Sequence, residues 1–526
     1  MKNKERGLSA GHLTMMALGT VIGGSFFLGS SVAINAAGPS VLIAFAVGGV
    51  LVYFILFALS EMTVNNADAG SFRTFAGEAF GRGTGFVVGW VYWTGMVLAM
   101  SSEATAVSIL IRQWLPNLSL PLMGSIIIVA VTLLNLLGAR SLSKLESGLA
   151  AVKLIAVVSF IVIAVLLIIG AFSGNAPVGT GALSNETFMP GGFAGLAGSM
   201  LIVMFTYAGF EIIGLAASET DKPKETVPRA IRNTVLSLVG LYMVAVVMLT
   251  ILIPTAALNP SISPFVAALN TRGFGWAGTV LNVVLITAII STMLAAMFGL
   301  GRMMRSLTDE GMAPGWLKDK TDVPYRGIIA SGLGMLAAFG IGFLFPSVYL
   351  FLVSSGGFAI LFTYVVIMAT HIRFRRRNGC PPDGKCQLWG FPYTSIAVLL
   401  LLVVAILSMP FVQGQGSGLV AGIILVVMFS LFYGLTRLFR KKDSDLYYAR
   451  LRTHLSAEAG KELGVLPRQV KNNLPPNYFD GTAGFHHTGD FDDKGDAEDI
   501  RDTEDAINLE YKSHTEDSDD DREDGE

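Results

Sequence analysis

Charge is scarce in this sequence and missing from long parts of it. Asp, Glu, Lys and Arg make up 14% of the 526 residues, against roughly 25% in soluble domains, which excludes a surface of ordinary aqueous polarity. None of the four occurs from Gly7 to Ser60, from Gly327 to Thr370, or from Gln387 to Thr436. Cysteine is rarer still. Two residues, Cys380 and Cys386, cannot build a disulfide scaffold; they share a loop with Arg375, Arg376 and Arg377 and read as a reduced, inert pair. The chain lacks a Walker-type phosphate loop, so nothing points to ATP-driven pumping. It also lacks a metal-spaced His/Glu cluster and a nucleophile–base constellation. No metal, cofactor, enzymatic activity or nucleic-acid partner is expected.

What is abundant is apolar sequence, with 52% hydrophobic residues and a mean hydropathy of +0.60. About 20 apolar residues cross a bilayer core at ~1.5 Å per residue, so each uncharged run holds two crossings. The chain reads as an all-α membrane protein with twelve transmembrane helices, over residues 10–34, 39–64, 84–112, 121–138, 145–172, 194–217, 231–256, 275–303, 327–345, 348–371, 391–411 and 418–437. The stretch after Met1-Lys2-Asn3-Lys4-Glu5-Arg6 is too long for a removable signal peptide and is taken as the first span. Connections are short, so no folded soluble domain interrupts residues 1–440. With the N-terminus inside, the inner segments through Lys442 carry 25 Lys and Arg, and the outer ones carry only Arg112 and Arg272. This positive-inside bias puts both termini in the cytoplasm. His12 and His371 fall at span ends and are expected at the interface, and Glu61 and Glu219 are expected near the inner face.

Charge also divides the chain. Residues 1–440 hold 26 Lys and Arg against 16 Asp and Glu, whereas residues 441–526 hold 11 against 23. Within the tail, residues 480–526 carry 19 acidic and 4 basic side chains. Such a segment buries too little apolar surface to offset chain entropy, so the cytoplasmic acidic tail is expected to be largely disordered. Residues 445–463 are expected to form a short helix.

Two spans are interrupted alike. The first contains Gly19-Thr20-Val21-Ile22-Gly23-Gly24-Ser25, and the sixth contains Phe205-Thr206-Tyr207-Ala208-Gly209-Phe210-Glu211. Each opens a five-span half. Broken spans at corresponding places in two repeats point to a midplane substrate site, because irregular backbone at that depth survives where it lines a cavity. Glycines that merely let helices pack closely are the other reading.

The same residues carry a resemblance. Gly19 to Ser25, continued by Phe26-Phe27-Leu28-Gly29, resembles the first-helix pattern of bacterial amino acid permeases, members of the amino acid–polyamine–organocation superfamily. Gly70-Ser71-Phe72 through Gly89-Trp90-Val91-Tyr92-Trp93, then Glu146 and Lys153, are similar to the family's third and fifth helices. Phe205 to Glu219 with Pro223 and Pro228-Arg229-Ala230-Ile231, and Gly301-Arg302-Met303-Met304 to Gly311-Met312-Ala313-Pro314, resemble its sixth and eighth. The resemblance covers residues 7–440 and not the tail. It implies a five-plus-five inverted repeat with broken first and sixth helices, two added C-terminal helices, and coupled amino acid uptake across the cell membrane by a monomer or weak oligomer. Gly23-Gly24-Ser25 departs from the family's usual Gly-Ser/Thr-Gly, and Leu294 stands where the eighth helix often has Asn. Both bear on substrate preference rather than on fold.

An amino acid zwitterion needs N–H donors for its carboxylate and acceptors for its ammonium, and a broken helix offers both without a charged side chain. By resemblance, the amides of Gly23, Gly24 and Ser25 hold the carboxylate, and the carbonyls of Val21 and Ile22, with Phe205 and Ala208, hold the ammonium. Tyr207 or Phe205 closes over the substrate, or packs the core. Glu103, deep in the third span, matches a family glutamate near the substrate: it contacts a side chain, relays a proton, or is a protonated carboxyl bonded within the bundle. Lys153 stands where sodium-coupled relatives hold a cation. A buried lysine that releases its proton suits proton coupling, and a snorkelling lysine is the alternative. Glu211 is read as structural, satisfying backbone freed by the sixth-helix break. Thr287, Ser291 and Thr292 either line the site or bond between helices. The expected activity is import of an amino acid with a proton by alternating access. An exchanger of amino acids or amines, and a membrane amino-acid sensor acting through the tail, are the alternatives.

Overall fold

A computed structural model of the chain describes residues 9–65, 71–172, 177–215, 220, 222–258, 261–319, 321, 323–379, 387–412 and 414–437, all within one unit, Met1–Phe439. The side chain of Glu146, Glu219, both cysteines, and the expected tail helix and disordered segment lie outside the described residues.

The uncharged runs fold as helices. In chain order these are α1 (Ala10–Val21), α2 (Ser30–Ala37), α3 (Val41–Asn65), α4 (Phe72–Phe80), α5 (Arg82–Ile111), α6 (Leu120–Asn135), α7 (Ala139–Ile169) and α8 (Gly192–Thr206). There follow α9 (Ile212–Leu215), α10 (Pro223–Leu252), α11 (Pro264–Thr271), α12 (Gly275–Asp309), α13 (Tyr325–Gly342), α14 (Val348–Asn378), α15 (Tyr393–Leu407) and α16 (Gly416–Arg437). No strand occurs among the described residues. Nine helical stretches among them are long and apolar enough to cross a membrane, and α6 and α8 are shorter apolar helices. One of the nine, Ser25–Val64, runs for 40 residues, about 60 Å of helix and twice a bilayer core. Gly38, at φ 64°, followed by Pro39 divides it: the left-handed backbone suits glycine, and proline has no N–H to continue the ladder.

Three helices run past their hydropathy boundaries at charged ends. α10 begins at Pro223 rather than 231, α12 runs on to Asp309, and α14 continues to Asn378 through Arg373 and Arg375 to Arg377. Hydropathy registers only the apolar part of a helix; charged turns beyond it still hydrogen-bond in water.

Burial sorts the helices. In its most apolar window α5 is 83% buried, against 11% for α16. A helix enclosed by protein can turn polar groups toward its neighbours, and Ser101, Ser102, Glu103, Thr105 and Ser108 of α5 are all buried. Small residues let α14 approach α5 closely. A Cβ on Gly95 would collide with Ala359, and one on Gly356 would lie 3.1 Å from Gly95 O and Ala99 N.

His371 is enclosed by protein. It is fully buried, with Nε2 2.7 Å from Glu61 Oε2. Glu61 Oε1 accepts from the N–H groups of Gln387 and Leu388 at 2.7 and 2.8 Å, and Arg375 Nη1 donates to Leu388 O at 2.7 Å. The chain at 387–388 covers the ends of α3 and α14, which hydropathy alone does not reveal. Glu61→Ala strands His371 and Arg375 without their carboxylate and is expected to cost about 3–5 kcal/mol of stability, read as a lowered unfolding temperature in detergent. A loss below about 1 kcal/mol would show the pair to be solvated.

Candidate functional site

The ladder of α1 ends at Ile22, whose backbone is extended (φ −76°, ψ 95°). Helical structure resumes as a π-turn over Ser25–Gly29 and then α2. In that turn the N–H groups of Phe26 and Phe27 both donate to Gly23 O at 3.1 Å. The N–H groups of Gly24 and Ser25 point elsewhere, to Glu103 of α5: Gly24 N donates to Oε2 at 2.6 Å and Ser25 N to Oε1 at 3.1 Å. Glu103 is 3% exposed. A carboxylate thus sits astride two amides where a helical segment begins, the arrangement by which helix starts bind anions. A Cβ on Gly24 would collide with Glu103 Oε2, and one on Gly23 would press on Thr292 at 3.0 Å.

The second break has its own carboxylate. α8 ends at Thr206, and Gly209 adopts φ 107°, a backbone only glycine takes readily. Its N–H donates to Glu211 Oε2 at 3.1 Å, and the same carboxylate accepts from the hydroxyls of Tyr92 (3.1 Å) and Tyr364 (3.2 Å). Glu211 therefore satisfies backbone freed by the break. The two breaks meet, since a Cβ on Gly209 would lie 3.3 Å from Thr20 O.

Lys153 of α7 is fully buried, so its amine does not reach a membrane surface. Nζ donates to Gly19 O at 2.5 Å and to Thr292 Oγ1 at 2.7 Å. Thr292 Oγ1 in turn donates to Ile22 O at 3.0 Å. Lysine and threonine together brace the carbonyl side of the first break, opposite Glu103.

Between the breaks lies a small cavity. Of the residues singled out from sequence, Val21, Ser25, Glu103, Phe205, Ala208 and Thr292 line it. Ile22, Gly23 and Gly24 stand behind that lining, held by Thr292 and Glu103. Ser291 is buried beside Thr292 but is not part of the wall. Tyr207 is placed elsewhere: its hydroxyl donates to Phe45 O at 3.1 Å, and its ring packs on Tyr242 with centroids 5.3 Å apart. It packs the core between α3 and α10. The wall also includes Thr20 and Gly209, which the interrupted spans contain without a role assigned to them, and Met96, Ala99, Met100, Ala296 and Ile360, which sequence reading missed. A signal existed for three of them. Met96, Ala99, Met100 and Glu103 fall at i, i+3, i+4 and i+7, one face of α5, so Glu103 sets the phase. Ile360 lies in an uncharged run without contrast.

Two interrupted helices facing each other across a small cavity, within a bundle of apolar helices, suit a solute carrier. The chain belongs to the amino acid permease family, whose profile matches residues 12–445. It is an integral membrane permease and not an enzyme. It is 30% identical over 430 residues to a gamma-aminobutyric acid permease of Bacillus subtilis (strain 168), covering 80% of this chain and 92% of that protein. It is 30% identical over 447 residues to the amino-acid permease RocC of the same organism, covering 82% and 94%. A gamma-aminobutyric acid permease of Escherichia coli (strain K12) is 31% identical over 435 residues, covering 80% and 93%.

Proposed function

We propose that the protein imports an amino acid together with a proton across the cell membrane by alternating access. The carrier comprises residues 1–440, with twelve crossings arranged as a five-plus-five inverted repeat and two added helices. Residues 441–526 are a cytoplasmic acidic tail, both termini are cytoplasmic, and the carrier works as a monomer or weak oligomer. The names of the relatives support an amino acid cargo.

One observation carries the coupling: the Glu103 carboxylate sits on the amides of Gly24 and Ser25, the groups a substrate carboxylate needs. Two carboxylates compete for one pair of donors. As the substrate seats there, with Gly23 N–H beside it, Glu103 loses its hydrogen bonds inside the bundle. An unpaired buried carboxylate is costly, and a proton taken up by Glu103 removes the charge. Substrate and proton therefore load together. The substrate ammonium is held by the carbonyls of Val21 and Ile22, with Phe205 and Ala208 closing the other side. Tyr207 and Ser291 serve packing.

An imposed pH gradient in proteoliposomes tests this reading. Labelled amino acid should accumulate above equilibrium when the outside is acid. Counterflow without pH-driven accumulation would make the protein an exchanger. Lys153, the positive charge across the break, is assigned to coupling as well. Lys153→Ala should lower pH-driven accumulation about tenfold or more while binding persists; undiminished accumulation would reduce Lys153 to a brace.

A further inference from the structure

We propose that this site selects α-amino acids with an aliphatic or thioether side chain, held by Met96, Ala99, Met100, Ala296 and Ile360. The inference rests on the amino acid reading above and adds to it the class of side chain.

The cavity extends to one side of Glu103. On α5 it is lined by Glu103 and by residues before it, back to Met96, a distance of about 10 Å along the helix. After Glu103, Ala106 packs against the Gly24 backbone instead, with its Cβ 3.3 Å from where a Gly24 Cβ would stand. A substrate whose carboxylate reaches the amides of Gly24 and Ser25 must therefore send its side chain along Met100 and Ala99 toward Met96. Opposite that face stand Ala296 of α12 and Ile360 of α14. The alanines are small, and the two methionines adapt to irregular apolar shapes.

The chemistry of this wall is one-sided. Among the described residues, Glu103 is the only ionisable one lining the cavity, and it lies at the amide end. Thr20 and Thr292 belong to the breaks, and their hydroxyls already donate to Met16 O (2.8 Å) and Ile22 O (3.0 Å). Among the described lining residues, a charged or amide side chain passing Met100 meets no polar partner, and a charge desolvated at that depth is strongly disfavoured. γ-Aminobutyrate fails for the same reason. Its ammonium, separated from the carboxyl group by three methylenes, would sit among methionine and alanine rather than at the carbonyls of the first break.

Thermal unfolding of the purified full-length protein in detergent, titrated with single amino acids, tests the proposal, because a ligand of the native state raises the unfolding temperature with its occupancy. L-leucine and L-methionine should stabilise the protein with apparent affinities at least about tenfold tighter than L-lysine, L-glutamate or γ-aminobutyrate. Ala296→Leu fills the subsite and should shift preference to glycine and alanine. Met100→Ala enlarges it and should favour larger apolar side chains, which keeps the test open if the first variant does not fold. Lysine, glutamate or γ-aminobutyrate matching leucine would overturn the apolar subsite while leaving amino acid recognition intact. An unchanged order of preference in Met100→Ala would overturn it too. Stabilisation by no amino acid at all would overturn the underlying reading and the inference with it.

Discussion

Replacing Glu103 by Gln is expected to impair pH-driven accumulation strongly while leaving substrate binding intact and insensitive to pH. The carboxylate of Glu103 accepts one hydrogen bond on each oxygen, from Gly24 and Ser25. A glutamine offers one acceptor and one NH₂, so its nitrogen would face an amide N–H, donor against donor. The seat is weakened, the competitor for the substrate is removed, and no titrating group remains at the amides. Accumulation driven by a pH gradient should fall by about 10–100-fold, the range of an ordinary coupling free energy. Glu211→Gln should do less. Its oxygen can still accept from Gly209 N–H, and the hydroxyls of Tyr92 and Tyr364 can turn to accept as well as donate. Side-by-side uptake by the two variants decides the matter, and wild-type coupling in Glu103→Gln would leave that residue a purely structural role.

A larger loss is expected from Gly24→Leu, which should eliminate substrate binding in a protein that still inserts in the membrane. A Cβ at this position runs into Glu103 Oε2, and the remaining leucine atoms would occupy the space where a carboxylate meets the Gly24 and Ser25 amides. Two hydrogen bonds to a charged group are worth about 1.5–3 kcal/mol each, so losing both weakens binding by about 100-fold or more. Equilibrium binding to the purified variant, with its unfolding temperature as a folding check, reads this directly. Wild-type affinity would remove the first break from the site.

Much of this architecture was legible because the sequence is so uniform. Uncharged runs marked helices, and within them a lone Glu103 or Lys153 stood out, as did the glycines of Gly19 to Gly24 and of Gly209. What stayed hidden depends on tertiary contact. Glu103 and Gly24 lie 79 positions apart, and no periodicity says that one carboxylate seats on the other's amide. Ala296 and Ile360 are apolar residues in apolar helices, so nothing local separates a cavity wall from a lipid face. Tyr207 lies in the second break yet turns to Phe45, because its ring finds Tyr242 and its hydroxyl finds a carbonyl. Hydropathy places the end of a span near His371 and says nothing of its enclosure, which comes from Glu61 and the segment at Gln387 and Leu388.

The claim at the centre is that substrate carboxylate and Glu103 compete for the amides of Gly24 and Ser25, with a proton following the displaced carboxylate. Proton uptake on substrate binding measures this without a membrane gradient. Purified protein in detergent and very weak buffer is mixed with leucine while pH is recorded. The account predicts uptake approaching one proton per substrate bound at pH values where Glu103 starts ionised, affinity that tightens toward acid pH by at most about tenfold per unit, and no uptake in Glu103→Gln. Binding by the wild-type protein with no proton uptake across the pH range, or equal uptake in Glu103→Gln, would contradict it.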